Sequence, residues 1–185
     1  PEWKTVGWDE LTDKAVVPTG SIGFRWGEKG KWNIEPKDGG SGAETRLALS
    51  LIDRRDDVAA VSFPYFGHLD HEHFQNTDHP EILVRNVPVK TMALKDGEAM
   101  VATVFDLMVA NYGIDRGLGG GAVAASYEDD IPYTPAWQER ITGVKAADVI
   151  NVARQFADNA HRTHGRSMVI IGAAMNHWYH MDMNY

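Results

Sequence analysis

The sequence predicts an α/β fold class: an irregular, β-rich N-terminal part, then helices and a parallel-sheet strand. Three observations carry this. Glycines and prolines crowd 17–40, which favours loops and short strands over helix. Apolar residues alternate or run in short blocks between 47 and 94. From 101 onward the apolar spacing becomes helical, and it ends in the apolar run "SMVIIGAA".

The elements follow in order. Leu47, Leu49 and Leu51 alternate and suggest a strand, and 58–63 suggests another. "EILVRNVPVKTMALKDGEAMV" reads as strand, strand and a turn at Asp96-Gly97. In "AMVATVFDLMVANYG", Val101, Val104, Phe105 and Met108 fall at helical spacing, with Gly113 as the stop. "YTPAWQERITG" offers Thr134 as N-cap, Pro135 at the first helical position and Gly143 as the stop. "KAADVINVARQFADNAHRT" places Val149, Ala153, Phe156, Ala157 and Ala160 on one helical face. The run at 167–174 lacks polar alternation, as suits a strand buried on both faces of a parallel sheet. The expected division is 1–100, rich in loops and strands, and 101–185, a Rossmann-like α/β segment.

Composition bounds the function. The 185 residues are 43% hydrophobic, with 6 Trp, 6 Tyr and 6 Phe, enough for a real core. A formal charge of −8 argues against nucleic-acid binding, which needs clustered Lys and Arg. With no cysteine, the chain holds no disulfide and no cysteine-ligated cluster of its own. The start, "PEWKTVGWDE", has no signal-peptide pattern and no initiator Met, so a processed chain or a piece of a longer one is expected.

Several stretches invite chemistry. "HLDHEHFQNTDH" gathers His68, His71, His73 and His79 with carboxylates, but its spacing matches no metal-ligand signature and reads as a polar loop. A free-standing His-rich metal-binding module is the reading that it would otherwise support. "GLGGGA" from Gly117 matches the loose dinucleotide fingerprint, yet it follows a helix end rather than a strand, so a flexible glycine-rich loop is expected. No serine sits in a nucleophile-elbow pattern. "GAAMNHWYH" differs from these. It follows the expected buried strand, at the carboxyl edge where open α/β sheets bind ligands. His177 and His180 alone are a weak metal signal.

At these residues the sequence resembles the catalytic (alpha) subunit of membrane-bound respiratory nitrate reductase, a molybdopterin oxidoreductase of the dimethyl sulfoxide reductase type. "ITGVKAADVINVARQFA" before an apolar run marks the superfamily. "THGRSM", "NHWYHMDMNY", "GSIGFRWGEKGKWN", "FPYF" with "EHF", and "DLMVANYGIDRGL" are more particular, and together they span nearly the whole chain. The resemblance implies an internal, partial segment of a multidomain molybdopterin oxidoreductase fold, inactive in isolation. It implies two-electron reduction of nitrate to nitrite in anaerobic respiration, at a molybdenum held by two molybdopterin guanine dinucleotides. Iron–sulfur clusters, ligated outside this segment, would pass electrons. The implied partners are the remainder of the alpha subunit, an iron–sulfur beta subunit and a membrane cytochrome b gamma subunit. The implied location is peripheral to the cell membrane, on its cytoplasmic face.

The resemblance carries Gly172, Asn176, His177 and His180, with Trp178 and Tyr179 beside them, onto the family's pterin-contacting loop; it implies no metal ligand and no catalytic residue here. A small residue at Gly172 would let backbone approach a cofactor, while Asn176 and His177 could hydrogen-bond pterin, oxo groups or nitrate. "GAAMNH" departs from the family's "GAGLNH" and places Ala174 where the family has glycine. A sibling reductase acting on perchlorate, chlorate or selenate is the alternative within the superfamily.

Overall fold

The computed structural model describes residues 5–19, 36–65, 81–121, 123–173, 177 and 179. The chain divides into two compact units, Pro1–Ala125 with Ile131–Tyr133, and Ser126–Asp130 with Thr134–Tyr185.

The first unit begins with a small antiparallel hairpin, β1 (Gly7–Asp9) and β2 (Lys14–Val16), with Trp8 opposite Ala15. Asp9 fixes the turn. Its buried carboxylate accepts from Thr12 Oγ1 at 2.6 Å, from the Thr12 and Leu11 amides, and from the Arg46 amide at 2.8 Å. This aspartate-turn bonding is the kind that short polar side chains provide. It also pins the 45–48 segment beside the hairpin, where Leu47 forms only an isolated bridge to Asp9.

The strand expected from Leu47, Leu49 and Leu51 does not form. Leu51 is buried, whereas Leu49 is 68% exposed. Hydrogen bonds from the 46–51 amides go to Asp9 and Asp106 side chains and to the Trp8 carbonyl, so no ladder drives an alternation.

A three-stranded antiparallel sheet follows, in the order β3-β4-β5. These are β3 (Asp57–Tyr65), β4 (Glu81–Leu94) and β5 (Gly97–Val101). The expected pair of strands at 81–94 is one 14-residue strand. Pro88 interrupts the sequence pattern but not the strand. It faces Val58 of β3, and pairing with β5 starts only at Lys90. A proline is tolerated where one side of the strand needs no ladder bond. The Asp96-Gly97 turn closes the β4–β5 hairpin, with Leu94 opposite Gly97.

From Ile82 to Val87 exposure alternates along β4: Ile82 and Val84 are at least half exposed, while Arg85 and Val87 are buried; from Val87 to Lys90 every residue is buried. Val87 and Phe63 meet Ala110 of helix α1 (Val104–Asn111), with Val61, Ala102 and Leu107 packed around them. Each fully buried large apolar side chain contributes about 1.5–3 kcal/mol.

Helix α1 is capped as a Thr-x-x-Asp box. The Thr103 hydroxyl accepts from the Asp106 amide at 3.0 Å and donates to the Asp106 carboxylate at 2.8 Å. Gly113 stops the helix at φ +68°. The face differs from the sequence expectation: Val104 is 82% and Met108 46% exposed, while Asp106, Val109 and Ala110 are buried. Asp106 turns inward because its carboxylate has partners there, and the helix rotates with it.

In the second unit, α2 (Pro135–Thr142) and α3 (Ala146–Arg162) match the expected helices. Thr134 caps α2 through the Trp137 amide at 3.1 Å, and Gly143 ends it at φ +72°. The apolar stripe of α3 is not buried: Phe156 is 42% and Val152 65% exposed.

Among the described residues strands precede helices, as predicted. The sheets are antiparallel, however, and the parallel-sheet strand expected at 167–174 is absent among the described residues. The stretch 166–172 has no ladder partner, and Met168, Val169, Ile170 and Ile171 are 77%, 71%, 83% and 52% exposed. A parallel strand draws its hydrogen bonds from strands reached through crossovers. The described residues supply none.

Candidate functional site

The segment that carries the sequence-predicted site hangs from the end of α3. After Arg162 the chain reverses through His164 (φ +53°) and Gly165 (φ +91°). Asn159 clamps the reversal by donating to the Arg166 carbonyl and to Ser167 Oγ, both at 2.9 Å. Ser167 Oγ then donates to the Phe156 carbonyl at 2.9 Å. These bonds hold Arg166 and Ser167 against the last turns of α3.

Gly172 follows, exposed, with open space where a Cβ would stand. The His177 amide donates to the Ala173 carbonyl at 3.1 Å. His177 is exposed and Tyr179 is 89% exposed. Asn176, Trp178 and His180 lie outside the described residues, as does the whole His-rich stretch 68–79. Among the described residues no group of three His, Cys, Asp or Glu side chains could hold a metal.

The first unit holds a polar constellation that the sequence pattern did not single out. Asp106 is fully buried. Its Oδ1 accepts from Ser50 Oγ and from Arg116 Nη1, each at 2.6 Å, and its Oδ2 accepts from the Leu51 amide at 2.8 Å and from Thr103. Arg116 Nη2 also donates to Ser50 Oγ at 2.6 Å. Burial pushes the Asp106 carboxyl up. The hydrogen bonds from Ser50, Leu51, Arg116 and Thr103 outweigh it and hold the group below the usual carboxylate range.

Beside it, buried Arg85 donates through Nη1 to the Asn111 carbonyl at 2.9 Å, at the C-terminal end of α1, and through Nε to the Gly121 carbonyl at 3.3 Å. A cation there complements the helix dipole. The glycine-rich loop docks on the edge of β4. The Gly121 amide donates to the Val84 carbonyl at 2.9 Å, and Gly120 bridges Arg85. A Cβ at Gly120, whose φ is +107°, would stand 3.0 Å from Arg85 Cα. The flexible loop expected from "GLGGGA" is thus a packed one. Gly120 and Gly121 let its backbone lie close against β4.

A second polar cluster ties the hairpin to the sheet. Lys90, nearly buried, donates to Asp13 at 3.1 Å and Asp56 at 3.2 Å and lies 5.1 Å from the Trp8 ring. The Trp8 indole donates to Asp13 at 2.8 Å. Burial pulls the Lys90 ammonium down, but the two carboxylates outweigh it and hold it above its ordinary value. The Trp8 indole first, then Lys90, holds Asp13 low; the Thr91 amide first, then Lys90, holds Asp56 low. The only sequence signal for either cluster was the family-like run "DLMVANYGIDRGL", which contains Asp106 and Arg116.

No family model matches the chain. Named relatives do. It is 55% identical, over its whole length, to the respiratory nitrate reductase 1 alpha chain of Escherichia coli K12. It is 42% identical over its whole length to the nitrate reductase alpha chain of Bacillus subtilis 168. It is 41% identical over 96% of its length to the nitrate reductase alpha subunit of Mycobacterium tuberculosis H37Rv. The chain spans 14–15% of the length of these relatives. Along its whole length, the chain belongs to the family of nitrate reductase alpha chains.

Proposed function

We propose that this chain is an internal segment of the catalytic subunit of a respiratory nitrate reductase, which reduces nitrate to nitrite. The observation that carries the reading is the match to nitrate reductase alpha chains at 54–55% identity over the whole of this chain. The whole enzyme is a molybdenum bis(molybdopterin guanine dinucleotide) protein with iron–sulfur clusters. It is assembled with an iron–sulfur beta subunit and a membrane cytochrome b gamma subunit at the cytoplasmic face of the membrane. No helix among the described residues is long and apolar enough to cross a membrane.

Gly172, Asn176, His177, Trp178, Tyr179 and His180 form one edge of the cofactor pocket in this reading. Taken alone, the described members do not make a cradle, since Gly172 faces open space and His177 and Tyr179 are exposed. His177 contributes a hydrogen-bond donor toward an anionic group, and the Tyr179 ring contributes a flat apolar wall.

The test is turnover of the assembled enzyme on several oxyanions. Nitrate is expected to give the highest kcat/KM. A preference of more than about tenfold for perchlorate, chlorate or selenate, a barrier difference of about 1.4 kcal/mol, overturns the reading.

A further inference from the structure

We propose that the crevice between the glycine-rich loop, the β4 edge and the inner face of α1 binds a single ordered water that bridges Asn86 and Arg116. The space amounts to about 10 Å³ and is lined by Asn86, Arg116, Asp106, Ala110, Ile114 and Gly119, among others. A cavity of this size holds one water, provided that polar partners are present. It is too small for nitrate or phosphate.

The polar partners are there and only partly used. Asn86 Nδ2 donates to the Leu118 carbonyl at 2.6 Å. Its Oδ1 accepts nothing among the described residues. Arg116 uses Nη1 on Asp106 and Nη2 on Ser50. Its Nε donates to nothing among the described residues. Two residues that line the cavity thus carry one unfilled acceptor and one unfilled donor. A water donates to Asn86 Oδ1, accepts from Arg116 Nε, and satisfies both.

The loop chemistry keeps the space open. A Cβ at Gly119 would meet Asn86 Nδ2 at 3.4 Å, and φ there is +73°. Glycine at this position leaves room beside the amide. The next residue, Gly120, already brings the loop backbone close to β4, where an added Cβ would stand 3.0 Å from Arg85 Cα. The water is therefore a structural part of the junction that joins the loop, β4 and α1.

The test is a crystal structure of the assembled enzyme at a resolution that shows ordered solvent. The expected result is one peak at about 2.7–3.2 Å from both Asn86 Oδ1 and Arg116 Nε. Absence of a peak, a peak that touches only one of the two, or a side chain filling the space overturns the proposal. An Asn86→Leu variant adds a second reading. The peak is expected to vanish while the Asp106–Arg116 pair persists, and a peak unchanged in the variant overturns the bridging role. Should the variant not assemble, the wild-type density decides.

Discussion

Asp106 and Arg116 meet at 2.6 Å with the aspartate side chain wholly buried and the arginine side chain 16% exposed. Ten residues apart in sequence, they join the start of α1 to the loop that follows it. Ser50 and the Leu51 amide bring in a third segment. A buried charge in this position is costly to leave unpaired.

Asp106→Asn is therefore expected to strip Arg116 of its counter-charge and open this part of the first unit. Removing one partner of a buried pair costs about 3–5 kcal/mol. Hydrogen exchange on the assembled enzyme checks it. Amides at 50–52 and 104–118 should exchange at least about a hundredfold faster, at roughly 1.4 kcal/mol per factor of ten. Unchanged exchange there would show that the pair holds nothing together.

Gly120→Ala and Gly117→Ala separate space from backbone strain. Gly117 has φ +71° and nothing near its missing Cβ, so alanine there should cost about 1–2 kcal/mol. Gly120 combines φ +107° with backbone atoms 3.0 and 3.1 Å away. Its alanine variant should cost more and should release the Gly121 amide from Val84. Exchange of that amide, compared between the two variants, is the measurement.

Acid should loosen the hairpin–sheet junction before neutral pH does. Asp9 is held low, chiefly by the Thr12 hydroxyl and then the Arg46 amide; Asp13 and Asp56 are held low by the donors given above. A carboxylate with a lowered folded pKa contributes stability above its unfolded value of about 4, and loses it as pH falls through the folded value. Lys90 is shifted the other way. Its stability is complete below about pH 10 and is lost as pH rises through its raised folded value. Stability from these groups should therefore be flat between about pH 5 and 9. The protection of the amides at 8–13 and 89–91, taken relative to each amide's intrinsic exchange rate and followed from pH 7 down to 3, should fall toward the acid end. A decline centred near pH 6 would contradict it.

Lys90→Met keeps an unbranched side chain near Trp8 but leaves Asp13 and Asp56 facing each other without a cation. Both should then titrate nearer the ordinary carboxylate range, and the acid loosening should begin at higher pH than in the wild type. Carboxyl titration by NMR of labelled protein reads this directly.

His177→Ala tests the proposed pocket edge. A lost hydrogen bond to a charged group is worth about 1.5–3 kcal/mol, so kcat/KM for nitrate should fall about 10- to 100-fold. An unchanged value would remove His177 from the pocket.

The sequence by itself determined the local elements and the family. Thr134, Pro135 and Gly143 bound α2 because caps and stops act within a few residues. Thr103 caps α1, Gly113 stops it, and Asp96-Gly97 closes the β4–β5 hairpin, for the same reason. The motif run from "GSIGFRWGEKGKWN" to "NHWYHMDMNY" pointed to nitrate reductase alpha chains, and the relatives agree. Periodicity misjudged faces whose burial depends on remote partners. Asp106, four residues before Ala110, faces the core because Ser50, Leu51 and Arg116 wait there, so the apolar Val104 and Met108 face outward. Leu49 is exposed because the segment around it joins β1 by a single bridge and otherwise bonds the Asp9 and Asp106 side chains, so no ladder sets its face. Gly120 is needed because β4 passes 3.0 Å from where its Cβ would be. The run 168–171 reads as a buried strand, yet a strand is completed only by its neighbours, and no local pattern can supply them. Caps, turns and motifs are short-range and written in the chain. Burial, charge pairing and sheet membership are settled between segments distant in sequence, and only the tertiary structure decided those.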